Sequence, residues 1–214
     1  MINSLCRQTD EGDVWRWNLA SNGKFTIKEL TKILEEKMLI DGKGQLETMR
    51  NNLISKKVEI FIWRAMEKRL PTLVELDKRG IDLHSIRCPI CDEDVETIDH
   101  SLIFCNSVMD IWSRVYRWWG FGNMTNLSVS GAFLGNCNIT CSELGTKIWQ
   151  AIEWTCGYLI WRNRNNKIFK NKSWNAPTAL SEIQILSFDW ISRRLKDRKI
   201  DWHVWLTSPQ EYLN

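Results

Sequence analysis

The chain lacks any uninterrupted apolar run long enough to cross a bilayer. Its longest uncharged stretch, Trp118 to Ser142, is broken by Gly, Asn, Ser and Thr, whose polar groups lipid cannot satisfy. No membrane span is expected. The start, Met1-Ile2-Asn3-Ser4-Leu5-Cys6, has no basic region before an apolar one and runs into polar residues from Gln8 to Asp13, unlike a secretory leader. An intracellular setting, nuclear or cytoplasmic, is the expectation. There is no internal repeat or low-complexity tract, and no large excess of either charge, the formal net charge being +3 over 214 residues. A 43% hydrophobic content excludes global disorder. What is abundant is tryptophan: thirteen of them, each with a large area to bury, promise a sizeable core.

The apolar spacing predicts a mainly α-helical chain. Val14 to Leu19 alternates, Ser21-Asn22-Gly23 reads as a turn and Lys24 to Ile27 as a return strand, so a small N-terminal β-hairpin is expected. Thr26 with Glu29 then offers a capping box for a helix through Ile27, Leu30, Ile33 and Leu34. Val58, Phe61, Ile62, Ala65 and Met66 line one face of a second helix, stopped by Leu70-Pro71. Thr72 with Glu75 opens a short third helix ending at Gly80. Ser107 with Asp110 is the expected cap of another, with Val108, Ile111, Trp112, Val115 and Trp119 inward and Gly120 at its end. Beyond a polar stretch from Phe121 to Ser142, Leu144, Ile148, Ile152, Thr155 and Leu159 mark a long helix. Leu180, Ile183, Ile185, Leu186, Phe188 and Trp190 mark the last.

Seven cysteines in a chain expected to be intracellular argue for reduced thiols. Cys88-Pro89-Ile90-Cys91, then His100 and Cys105, have the ligand types and spacings of a Zn²⁺ site. A Cys-x-x-Cys turn converges two sulfurs on one ion, and Pro89 presets the backbone at its second position. Thr97 is placed to cap a short helix carrying His100, and Cys105 must lie at or past that helix's end. His84 is an alternative fourth ligand, less well patterned than His100. Four protein ligands close a tetrahedron and leave no position for substrate, so one structural zinc ion is expected. Cys6, Cys137, Cys141 and Cys156 are read as ordinary small residues. The implied division is 1–56, hairpin and helix; 57–120, zinc-stabilised helical domain; 121–142, polar connector; 143–214, basic helical region.

The segments Lys57 to Ala65, Arg69-Leu70-Pro71-Thr72, Lys78-Arg79-Gly80-Ile81, Cys88-Pro89-Ile90-Cys91, Glu96-Thr97, His100 and Cys105, with Trp112 and Trp118, resemble the zinc-binding domain of plant reverse transcriptases of the non-LTR retrotransposon type. Asp13 to Trp17 and Gly23 to Lys28 resemble the same family's lead-in, and Tyr158 to Asn165 with Phe169 its tail. The resemblance implies a segment downstream of an RNA-directed DNA polymerase domain, with Cys88, Cys91, His100 and Cys105 as zinc ligands and that polymerase domain as a partner. No Tyr/Phe-x-Asp-Asp polymerase motif occurs, and Glu182, Asp189, Asp197 and Asp201 do not assemble a ribonuclease H set, so catalysis by this stretch is not expected.

Charge is uneven. Ile160 to Ile200 carries ten Lys/Arg against three Asp/Glu, whereas residues 1–159 carry nineteen against twenty-one. Arg162, Arg164, Lys167, Lys170 and Lys172, interleaved with Trp161, Phe169 and Trp174, could neutralise phosphate and stack bases, and Arg193 and Arg194 begin a second cluster. The metal turn is acidic, with Asp92, Glu93, Asp94, Glu96 and Asp99, and should repel phosphate. RNA or DNA is therefore expected at the C-terminal clusters. A protein-docking adaptor with exposed tryptophans and a decayed retroelement fragment are the competing readings.

Overall fold

The computed structural model describes residues 50–122, 128–134, 141–172, 174–196 and 198–213, together with Trp17, Gly23, Thr26 and Glu29. The chain divides into two compact units, 1–48 and 49–214. In the first, the backbone N–H of Trp17 donates to Gly23 O at 2.9 Å, and Gly23 takes φ +67°. Glu29 N–H donates to Thr26 Oγ1 at 3.1 Å, as a capping threonine requires. Neither Trp17 nor Gly23 is in a strand, and the rest of the expected hairpin and of the helix through Leu34 lies outside the described residues. The hairpin is thus not supported.

The second unit is helical: α1 (Lys56–Met66), α2 (Leu73–Asp77), a π turn (His100–Phe104), α3 (Asn106–Trp118), α4 (Val129–Phe133), α5 (Glu143–Lys170), α6 (Ala176–Arg194), α7 (Trp202–Thr207) and a final 3₁₀ turn (Pro209–Leu213). Among the described residues there is no strand, only one antiparallel bridge between Arg87 and Val95. No helix among them is long and apolar enough to cross a membrane.

Helix α5 is the axis of this unit, about 42 Å long at 1.5 Å per residue. It packs on α1, α4, α6, the π turn and the final 3₁₀ turn. Its middle, from Ile148 to Trp161, is therefore buried on nearly every side rather than along the single stripe the spacing suggests. Even Glu153, Thr155 and Gly157 are enclosed. At Gly157 a Cβ would meet the Phe133 ring at 2.5 Å, so the missing side chain lets α4 lie against α5. At Gly145 it would meet the Leu213 carbonyl at 2.3 Å, where the chain end docks and Ser142 N–H donates to Leu213 O at 2.9 Å.

Among the described residues, Trp112, Trp119, Trp149, Trp154 and Trp205 are deep in the core, and four of the indoles find a backbone partner for their polar handle. Trp112 donates to Leu102 O and Trp154 to Phe133 O, both at 2.8 Å, while Trp118 donates to Trp205 O at 3.0 Å and Trp205 to Gln184 O at 3.1 Å. Such bonds remove the penalty of burying an indole N–H. Trp119, Trp149 and Trp205 meet edge to face or tilted, with centroids 5.5 to 5.6 Å apart, and join α3, α5 and α7.

Several local expectations change. Helix α1 ends at Met66, four residues before Leu70, because Lys68 adopts a left-handed φ of +51° and the turn delivers Leu70 to the core. The N-cap of α3 is Cys105, not Ser107, since the helix starts directly after the π turn. The 121–142 stretch holds α4, whose Val129, Ala132 and Phe133 are buried, and the helices on either side share one core. Ile185 on α6 is 58% exposed, whereas Ala179, Ser187 and Ile191 face inward.

Candidate metal centre

The four candidate ligands come from two local structures. In the first, Ile86–Cys88 lies antiparallel to Asp94–Glu96: Cys88 N–H donates to Asp94 O at 2.7 Å and Glu96 N–H to Ile86 O at 2.8 Å. The Cys-Pro-Ile-Cys turn closes between them, with Asp92 N–H on Cys88 O at 2.9 Å and Asp92 itself at φ +58°. Aspartate is one of the few side chains that tolerates this conformation.

The second structure is the π turn. Thr97 Oγ1 accepts from His100 N–H at 3.0 Å, the cap expected of it. Then Cys105 N–H reaches His100 O at 2.9 Å, closing a turn five residues wide. On an α-helix, residues five apart point about 140° away from each other. The wider turn removes most of that angle, so His100 and Cys105 face the same point.

The result is a cluster in which Sγ of Cys88, Cys91 and Cys105 and a ring nitrogen of His100 all lie within 4.8 Å of one another. Tetrahedral Zn²⁺ at about 2.3 Å from sulfur needs ligand–ligand edges of about 3.8 Å. Cys91 Sγ and His100 Nε2, at 3.4 Å, already have such an edge. The donor set fits a closed structural site. Cys88 and Cys105 shift in opposite senses: the thiol of Cys88, hydrogen-bonded to Cys105 and buried, is pushed far above the usual range, whereas Cys105, accepting that bond, is lowered. Backbone N–H groups of Ser107 and Val108, at the start of α3, help hold the Cys105 thiolate. With Nε2 turned to the thiols, His100 Nδ1 faces the Asp94 carboxylate at 3.8 Å, a position from which a carboxylate orients a ligand histidine. His84 is exposed and outside the cluster.

Residues 25–112 match the family model described as zinc-binding in reverse transcriptase. That segment is similar to this family. The match begins inside the first unit and ends in α3, and it does not reach the tail from Tyr158 to Phe169. No curated protein and no solved structure matches the chain.

The segment with the candidate ligands is joined to the rest of its unit by a pair that charge counting misplaces. Glu96, expected on an acidic surface, is wholly buried, and Arg164, expected on a basic one, is 4% exposed. Arg164 Nε donates to Glu96 Oε1 at 2.6 Å and its Nη2 donates to Oε2, a two-point clasp. Glu96 Oε2 also accepts Leu73 N–H at 2.7 Å. One carboxylate thereby ties the metal hairpin, the start of α2 and the C-terminal half of α5. Arg164 also stacks on Trp161, with its guanidinium carbon 4.7 Å from the ring centroid, and Trp161 is buried. Neither is available to nucleic acid. Their i, i+3 spacing and the Glu96-Thr97 step carried no signal that distinguished a buried pair from two surface charges.

The other predicted contacts stand differently. Arg162 pairs with Glu182 at 2.6 Å, Arg193 with Asp189 at 2.6 Å, and Arg194 Nη1 donates to Trp190 O at 3.2 Å. Lys167, Lys170 and Lys172 have no ion-pair partner among the described residues, and Phe169 between them is 77% exposed. Cys141 is half-buried just before the Ser142 N-cap of α5 and Cys156 is buried within that helix, while Cys6 and Cys137 lie outside the described residues.

Proposed function

We propose that this chain is a non-catalytic zinc-binding module of a retrotransposon reverse transcriptase, holding one structural Zn²⁺ and contacting nucleic acid through the C-terminal end of α5. The observation that carries the reading is the convergence of three sulfurs and one imidazole inside the segment that matches the reverse-transcriptase family. Four protein donors fill a zinc tetrahedron, so the ion would organise the fold and would have no open position for chemistry. The absence of a Tyr/Phe-x-Asp-Asp motif agrees with a supporting role.

The nucleic-acid part rests on Phe169 with Lys167, Lys170 and Lys172. An exposed aromatic among unpaired cations offers stacking and phosphate neutralisation together, and no acid occurs between Glu153 and Glu182. The docking adaptor is less favoured, because Trp202 is the only exposed tryptophan among the described residues. A mobility assay with structured RNA, using the zinc-loaded chain over a range of salt, tests the proposal. Affinity should fall steeply with salt, and K167Q/K170Q/K172Q should lower the slope by about one per lysine. Salt-independent binding, or none, refutes it.

A further inference from the structure

One cleft borders both halves of the proposed function. It encloses about 360 Å³, near the lower end of the roughly 300–1,000 Å³ typical of ligand clefts. One wall comes from the metal segment: Ile90 between the paired cysteines, Ser101 beside His100, and Ser107 just after Cys105. The opposite wall is the end of α5 and the start of α6.

The charges in the cleft do not cancel. Arg164 is neutralised by Glu96, and Asp110 by Arg114 at 3.2 Å. That leaves Lys167 and Lys172 as lining cations with no ion-pair partner among the described residues. The rest of the lining combines apolar Val108, Ile111, Ile160 and Trp174 with polar Asn163 and Asn175. The indole N–H of Trp174 is buried without a hydrogen-bond partner among the described residues, in contrast to the four satisfied core indoles. The indole N–H of Trp119 in the core is unpaired in the same way, so it is the Trp174 ring as part of the lining, and not its N–H, that the cleft offers to a ligand. Two ammonium groups without ion-pair partners among the described residues, in one lining with apolar and aromatic side chains, match a phosphate carrying a planar heterocycle.

We propose that this cleft holds a single nucleotide unit, its phosphate on Lys167 and Lys172 and its base against Trp174 and Ile111. The inference rests on the nucleic-acid reading above and narrows it from a surface to a site. Because Ile90, Ser101 and Ser107 adjoin metal ligands, the metal segment would shape the pocket without touching the nucleotide.

The test titrates the zinc-loaded full chain with a short unstructured labelled RNA, followed by fluorescence anisotropy, with adenosine monophosphate and inorganic phosphate as competitors. Ala176→Trp fills the cleft from the first turn of α6, and K167Q/K172Q removes its cations by surface changes that leave the core intact. F169A/K170Q strips the exposed end of α5 and spares the cleft. Each cleft variant should weaken RNA binding about tenfold or more, and by a larger factor than F169A/K170Q. Displacement of RNA by the mononucleotide supports the site for a free nucleotide, and loss in A176W without such displacement supports it for a nucleotide within a strand. Unchanged binding in A176W with loss in F169A/K170Q overturns the cleft and leaves the nucleic-acid reading standing. Phosphate competing as well as the mononucleotide overturns the place given to the base. If neither RNA nor mononucleotide binds the wild-type chain, both proposals fall.

Discussion

The metal segment and the tryptophan core solve the same problem by different means. Between Ile81 and Thr97 most residues are exposed or half-exposed, regular structure is limited to one bridge, and apart from the Glu96 clasp to Arg164 and Leu73 the backbone is held by a few hydrogen bonds of its own. Around α5, by contrast, Trp112, Trp119, Trp154 and Trp205 are fully enclosed, and most of their polar atoms are satisfied by backbone carbonyls. Burial of aromatic area accounts for the second region. It cannot account for the first, where a few hydrogen bonds oppose the ordering entropy of a long loop. A bound metal would supply the free energy that a loop without a core of its own lacks.

Removing the metal should break the comparison most visibly. Apparent binding free energies of structural Zn²⁺ reach about 10–16 kcal/mol in small zinc domains, and at such sites binding energy is folding energy. Chelation, or Cys91→Ser, should therefore leave residues 81–105 open to proteolysis and to rapid amide exchange, with α5 to α7 still protected. Exchange mapped by mass spectrometry distinguishes the two regions. Equal protection before and after chelation would show that the loop needs no ion, and collapse of α5 to α7 along with it would show that the two regions are one cooperative unit.

The two regions also differ in how far their residues announced them. The apolar faces of α1 and α3 were readable because helical period and burial coincide: Val58, Phe61, Ile62 and Ala65, and Val108, Ile111, Trp112, Val115 and Trp119, are all buried. In α5 that rule loses force, since a helix enclosed on every side shows no stripe. That Cys88, Cys91, His100 and Cys105 come together was readable from residue type and spacing alone, because four donors suited to one ion restrict what the chain can do. The π turn that brings His100 and Cys105 together was not, as nothing in His100-Ser101-Leu102-Ile103-Phe104 distinguishes a five-residue turn from an α-helical one. Charge was the poorest guide. Glu96 and Arg164 lie 68 positions apart, and only the packing of the hairpin on α5 makes them partners.

That pair is where the two regions are coupled, and breaking it should have the next largest effect. Arg164→Met leaves the Glu96 carboxylate buried with only Leu73 N–H to satisfy it, and loss of one member of a buried pair costs about 3–5 kcal/mol. Urea denaturation of the zinc-loaded protein should show a loss of that order. Replacing both, as Glu96→Leu with Arg164→Met, should recover much of it, because the uncompensated charge is gone. If the double variant is no more stable than the single one, the Leu73 N–H bond matters more than the ion pair.

A change confined to the core should have the smallest effect and sharpen the contrast from the other side. Alanine is the better helix former, so at an exposed site Gly157→Ala would stabilise α5 by roughly 0.5–1 kcal/mol. Here the added methyl would stand 2.5 Å from the Phe133 ring, and the ring is wedged beside Trp112 with centroids 6.4 Å apart. Phe133 must move or α4 must lift, which costs about 1–3 kcal/mol by overpacking and outweighs the propensity gain. The variant should melt earlier yet retain the same zinc content by elemental analysis, since none of the four ligands lies on α4 or α5. A stabilised variant would mean that α4 yields easily, and zinc loss would mean that strain around Phe133 reaches the metal through α3.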